Sequence, residues 1–156
     1  GLLGSALSFQ HFDLDSQIEK EENSTITDLF ASKGEIYFRR KEGTTLQDLI
    51  ASNDKAVIAT GGGTPCYGTV MDDLNNNPDV KTIYLKNNVT TLTERLFLEK
   101  EHRPMIAHLQ TKELLEDFIR KHLFERSFYY AKATITIECD GRTPEQIVEK
   151  ILWELF

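Results

Sequence analysis

Asp13 and Asp15 flank Leu14 at the end of the stretch HFDLD. On a β-strand, residues two apart face the same side, so the spacing predicts two carboxylates next to each other at a strand end. At the C-terminal end of a parallel strand, such a pair suits Mg²⁺ and the holding of a hydroxyl. The plainer alternative is a strand terminus whose Asp15 caps a following helix, SQIEKEE. Taken alone, the D-x-D spacing favours the cap.

Gly61-Gly62-Gly63 close the apolar run AVIAT. Three glycines at a strand end let another molecule approach the backbone and expose N–H groups. A flexible loop is the alternative; the position directly after a buried strand favours binding. Arg39 and Arg40 follow Phe38 on a helix with i,i+4 charge pairs, Glu35 with Arg39 among them. Two adjacent arginines usually sit on a solvated face. The competing expectation is that one turns inward to grip a carboxylate with both ends of its fork. Arg103-Pro104, in KEHRPMIAHLQTK, lies on a polar connection between two helices, either an ordinary loop or a lid whose Arg reaches a transferring phosphate. Arg126, in FERSFYY, has aromatics around it, and a cation over a ring is its plain role. His11, His102, His108 and His122 show no metal-ligand spacing.

These residues need a scaffold. Four short segments read as strands: HFDLD, KAVIATGGG, VKTIYLK and ATITIEC. Their continuous apolar runs suit strands of a parallel sheet. Helical periodicity fills the gaps. STITDLFASKG has a Ser/Thr start and a Gly stop; EIYFRRKEGTTLQDLIASN follows, with Gly43 as a weak point. VTTLTERLFLEKE and TKELLEDFIRKHLFERSFYYAKA come next, and RTPEQIVEKILWELF carries Thr143 as N-cap with Pro144 in the first turn. Alternating strands and helices predict an α/β fold.

The opening GLLGSALSFQ fits poorly. Gly1, Gly4 and Ser5 suit a phosphate-binding G-x-x-x-x-G-K-[ST] loop, but Ala6 and Leu7 stand where Gly and Lys belong. With Leu2-Leu3 read as a strand end, too few residues precede His11 for a parallel crossover, which needs about a dozen or more. The spacing therefore predicts that a Gly-Lys-Ser/Thr segment of about fifteen residues is missing between about Gly4 or Ser5 and Ala6.

At 156 residues the chain is the size of one domain. A net charge of −7 argues against nucleic acid as a partner, although a few arginines can still dominate a pocket locally. No apolar run approaches the ~20 residues of a membrane span, and no signal peptide is visible. Cys66 and Cys139 are too few for a disulfide framework and read as reduced thiols of a cytoplasmic protein.

Taken in order, FDLDSQIE, FRR after a Gly-Glu pair, VIATGGG, the RP of a variable loop and ERSFYY resemble the shikimate kinase family of small P-loop kinases. The similarity runs from Ala6 to Phe156. It implies a three-layer sandwich with a central five-stranded parallel sheet and helices on both faces. It implies a single kinase domain over 1–156, with a lid at about 102–111 and a substrate-binding helical region at about 16–52. The implied reaction moves the γ-phosphate of ATP to the 3-hydroxyl of shikimate, in aromatic amino-acid synthesis, with Mg²⁺.

By this resemblance Asp15 holds the substrate hydroxyl and serves as base, and Asp13 lies near the metal. Arg39 and Arg126 grip the substrate carboxylate. Gly61, Gly62 and Gly63 offer backbone contacts to substrate. Arg103 acts on the ATP phosphates as a catalytic lid residue. Gly4, Ser5, Arg142 and Pro144 complete the nucleotide contacts. GGGTPCY departs from the small apolar continuation associated with the family. A cytoplasmic monomer is expected. The alternatives are another small-metabolite kinase, such as one acting on gluconate, or a non-catalytic binding module lacking the phosphate loop.

Overall fold

The computed structural model describes residues 1–103 and 105–156. Pro104, half of the Arg103-Pro104 pair singled out above, lies outside the described residues. The chain forms two compact units, Gly1–Met71 and Asp72–Phe156.

The first unit holds α1 (Leu2–Leu7), β1 (Gln10–Asp13), α2 (Leu14–Glu22), α3 (Ile26–Ser52) and β2 (Ala56–Ala59). β1 and β2 pair in parallel, with His11 opposite Val57 and Asp13 opposite Ala59. α1 packs on both strands. This corrects the reading of Leu2-Leu3 as a strand end and of a segment missing between about Gly4 or Ser5 and Ala6. Residues 2–7 are one continuous helix, with the Ser5 N–H on the Gly1 carbonyl at 3.1 Å. The crossover that seemed too short does not start there. Leu3, Leu7 and the glycine between them recur at helical spacing, and Ser8 closes the helix in the left-handed region.

The expected glycine stop after the first helical segment is present: Gly34 leaves the helical region and divides α3 into two helical stretches at a kink. α3 runs through Gly34, whose φ of 82° and ψ of 172° only glycine adopts readily. Gly43 stays helical. Two helix starts carry side-chain caps: the Asp13 side chain accepts from Ser16 N–H, and Thr25 from Asp28 N–H. Leu14 and Ile18 of α2, with Leu29, Phe38, Leu46 and Leu49 of α3, are buried. At the rim, Lys41 pairs with Glu21 at 2.7 Å, and Lys33 and the Tyr37 hydroxyl both reach Glu22 at 3.0 Å.

The second unit holds α4 (Val70–Asn76) for most of its length, β3 (Ile83–Lys86), α5 (Val89–Glu99), α6 (Lys112–Tyr130), β4 (Ile135–Glu138) and α7 (Pro144–Leu155). β3 and β4 are parallel, Ile83 opposite Ile135. α7 opens with the predicted N-cap Thr143, which forms a capping box with Gln146. Ile106, Leu115 and Ile119 form a core between α5 and α6, flanked by Leu92, Leu96 and Phe97.

All four predicted strands are present and parallel. Among the described residues they form two two-stranded sheets, not one of five strands. Their burial is also lower than the continuous apolar runs suggested: Val57 and Ile58 are only half-buried, and Ile137 is the one fully buried residue of β4. A strand at a sheet edge lacks the second neighbour that would cover it.

Candidate active site

Asp13 ends β1 and Asp15 enters the first turn of α2. The strand geometry assumed for the pair is therefore wrong: Asp13, not Asp15, is the cap, with Oδ1 accepting from Ser16 N–H at 2.9 Å. The strand stops there because a helix N-cap needs an extended residue with a short acceptor side chain, and Asp13 supplies both. The carboxylates nevertheless stay close enough to interact. Burial pushes the Asp15 carboxyl above its ordinary value, and Asp13, Glu42 and Glu19 push the same way; Arg39 opposes them.

Of the two adjacent arginines on α3, Arg40 is exposed and Arg39 turns inward, its side chain 14% exposed. Arg39 Nη1 donates to Glu42 Oε1 at 2.8 Å, and its Nε lies 3.9 Å from Glu35, the expected i,i+4 partner. Glu42 is 2% exposed and accepts a second hydrogen bond, from the Thr64 hydroxyl to Oε2 at 2.8 Å. Sequence reasoning missed both Glu42 and Thr64. Glu42 was findable, since it lies one turn after Arg39 on the same helix face. Thr64 was not, because its partner is 22 residues away.

The glycines after β2 make room for this group. A Cβ on Gly63 would come within 2.5 Å of Arg39 Nη2, and one on Gly61 would touch Asp15 Oδ1 at 3.7 Å and Glu42 Oε2 at 3.8 Å. Gly62 is exposed, and its carbonyl accepts from the Cys66 thiol at 3.7 Å. A groove of about 500 Å³ opens next to Arg39, along Gly43 and Thr44 of α3 and Tyr67 to Val70. The first unit thus brings together Asp13, Asp15, Arg39, Gly61 and Gly63: a carboxyl raised by burial above its ordinary value, a fixed guanidinium and accessible backbone.

Gly4 and Ser5 do not join them as loop residues. Gly4 is buried in α1, where an added Cβ would meet the Phe9 carbonyl at 3.1 Å. Their assignment to nucleotide rested on a loop, and the helix removes that basis.

In the second unit Arg103 is exposed and pairs with Glu99 at 3.0 Å. Lys100 donates to the Leu109 carbonyl at 3.0 Å, and buried Ile106 anchors the connection. Arg126 is half-buried on α6, with neither an ion pair nor a ring beneath it among the described residues. The nearby rings contact each other instead, Phe128 with Tyr129 at 5.5 Å. Arg142 Nε donates to the Glu138 carbonyl, and Pro144 opens α7. Neither Cys66 nor Cys139 forms a disulfide among the described residues.

Asp13 and Asp15 suit Mg²⁺ in donor chemistry. They are hard oxygen ligands, Asp13 is exposed, and its cap bond uses only one of its oxygens. Mg²⁺ commonly takes one or two carboxylates and completes its shell with water and substrate phosphates.

Comparison with known proteins bears on what this arrangement serves. The family model described as shikimate kinase matches residues 1–156. The shikimate kinase of Flavobacterium psychrophilum is 40% identical over 155 residues, covering 99% of this chain and 89% of that protein. That of Flavobacterium johnsoniae is 44% identical over 140 residues, covering 90% and 80%. Among solved structures, shikimate kinase from Bacteroides thetaiotaomicron superposes with a TM-score of 0.88 at 30% identity, covering 99% of this chain and 88% of that one. Shikimate kinase from Acinetobacter baumannii, solved in complex with shikimate, gives 0.82 at 28% identity, with 98% and 82% covered.

Proposed function

The chain belongs to the shikimate kinase family, an α/β fold of the P-loop kinase type, and is a small-molecule kinase that phosphorylates shikimate; we propose that the Asp15–Arg39–Gly63 cluster of its first unit is where the acceptor binds. The observation that carries this reading is the inward Arg39, held at one end by Glu42 and lying against glycine, with Asp15 close by.

In this reading Arg39 grips the substrate carboxylate, and the glycine backbone at 61–63 lies against the ring. Asp15 accepts the hydrogen bond of the 3-hydroxyl. The hydroxyl oxygen attacks the γ-phosphorus, the bond from that phosphorus to the β,γ-bridging oxygen breaks, ADP departs, and the hydroxyl proton passes to an Asp15 oxygen. A carboxyl raised by burial is better suited to take that proton than an ordinary aspartate. Phosphoryl transfer asks the protein mainly for positioning and charge neutralisation.

Mg²⁺ would be held through Asp13, where it would neutralise charge on the phosphates. Arg126 is assigned to the substrate carboxylate, Arg103 to the ATP phosphates, and Arg142 with Pro144 to the adenine side, each on sequence grounds.

The two parallel pairs are read as parts of a five-stranded sheet with helices on both faces, within a single kinase domain. The half-buried β2 and β3, each paired along one edge, support that reading. No described helix is long and apolar enough to cross a membrane. A cytoplasmic monomer is in keeping with the net charge of −7.

The test is a coupled ATP assay with shikimate and gluconate in parallel. Turnover with shikimate and none with gluconate is expected; the reverse would discard the acceptor assignment.

A further inference from the structure

The continuation GGGTPCY was the one motif left without a role, and its threonine lies in the interior of the first unit. Thr64 is 1% exposed. Its backbone N–H is fixed to the Gly61 carbonyl at 3.1 Å, at the start of a short 3₁₀ turn over Thr64–Cys66. A β-branched side chain on fixed backbone has few χ1 choices, so its hydroxyl is aimed. It donates to Glu42 Oε2, while Glu42 Oε1 accepts from Arg39 Nη1.

The division of the two carboxylate oxygens matters. A free glutamate three residues from an arginine can take the guanidinium with both oxygens and occupy a whole edge of the fork. Here Oε2 is committed to Thr64, so Glu42 holds Arg39 by Nη1 alone. Arg39 Nη2 makes no hydrogen bond among the described residues, and Nε has only the distant Glu35. The edge formed by Nε and Nη2 remains available for an incoming carboxylate. Gly63, immediately before Thr64, leaves the space in which the guanidinium lies.

We propose that Thr64 is a positioning residue for acceptor binding: its hydroxyl orients Glu42 so that Arg39 presents its free Nε–Nη2 edge to the substrate carboxylate. The proposal rests on the reading of Arg39 as the carboxylate grip.

The test uses the full chain, with shikimate affinity measured by calorimetry and kcat at saturating shikimate. Thr64→Val keeps the shape and removes the hydroxyl. Shikimate Kd should rise about tenfold, equivalent to ~1.4 kcal/mol, with kcat and ADP affinity held. Thr64→Ser should restore the wild-type Kd, since it keeps the hydroxyl and loses only a methyl. Thr64→Val should add nothing in a Glu42→Gln background. Thr64→Ala is the second hydroxyl-free variant, with circular dichroism confirming that each variant is folded.

Equal losses in Thr64→Ser and Thr64→Val would overturn the proposal, because a methyl contact would then be responsible. An unchanged Kd in a folded Thr64→Val or Thr64→Ala would overturn it too. Arg39→Ala separates the two readings. If it leaves shikimate Kd unchanged, the assignment of Arg39 is wrong. If it weakens binding while the hydroxyl-free variants do not, only the role of Thr64 falls.

Discussion

The guanidinium of Arg39 lies so close to Gly63 that a single added methyl group would come within 2.5 Å of Nη2. Gly63 has φ −85° and ψ −18°, a conformation open to any residue. Its glycine is therefore explained by the neighbouring side chain, not by backbone strain. The arginine cannot simply swing aside without leaving Glu42, which is buried and needs its partner.

Gly63→Ala should for that reason displace the grip without unfolding the chain. A rise of roughly tenfold in shikimate KM is expected, in line with the loss of one charge-assisted hydrogen bond. Nucleotide affinity should stay constant. Steady-state kinetics with shikimate varied decide the matter, and an unaltered KM would show that the guanidinium is not used.

Asp15→Asn should separate activity from stability. Loss of the base should lower kcat by about 10²–10⁴-fold. The carboxyl is raised above 3.8 in the folded chain by burial and by neighbouring carboxylates. A raised aspartate stabilises the fold below its unfolded value and loses that contribution as pH rises through its folded one. At neutral pH the ionised group therefore costs stability, and Asn should raise Tm there. In the wild type, kcat/KM should fall as pH drops through the same raised value. A kcat close to wild type in Asp15→Asn would remove Asp15 from the chemistry.

The two arginines assigned to the substrate carboxylate should differ in their effect on the fold. Either one changed to Ala should reduce kcat/KM for shikimate by about ten- to a hundredfold. Arg39→Ala also strips a buried carboxylate of its charge partner, at a cost of about 1–3 kcal/mol in stability. Arg126 has no ion pair among the described residues, and its removal should leave Tm nearly unchanged. Thermal unfolding of both variants next to their kinetics makes the comparison. Equal destabilisation would contradict the buried pair.

The connection at about 102–111 should slow its hydrogen exchange when nucleotide and shikimate are both bound, as a closing lid requires. Ile106 is its anchor in the core with Leu115 and Ile119. Ile106→Ala should speed exchange in the free protein over the same stretch. Full protection without ligands, or no response to them, would argue against a lid.

Much of this protein is legible locally. Caps, glycine stops and short β-branched runs act within a few residues, so HFDLD, AVIAT, Thr111 and the capping box at Thr143 announce strands and helix starts by themselves. The order of five short motifs was enough to point to the family. The errors were equally local. LLGSAL has no cap and no long periodic run, so nothing nearby distinguishes a short helix from a strand end. D-x-D reads as two residues of one strand until Asp13 caps α2 and turns Asp15 into the helix. What tertiary structure alone decided is which of two adjacent arginines turns inward. Arg39 and Arg40 differ by about 100° around α3, and only the packing of that helix against Gly63 and Thr64 buries its own Glu42 as a counter-charge for one of them. The sequence states the charges; the long-range hydrogen bond from Thr64 to Glu42 determines where one of them is aimed.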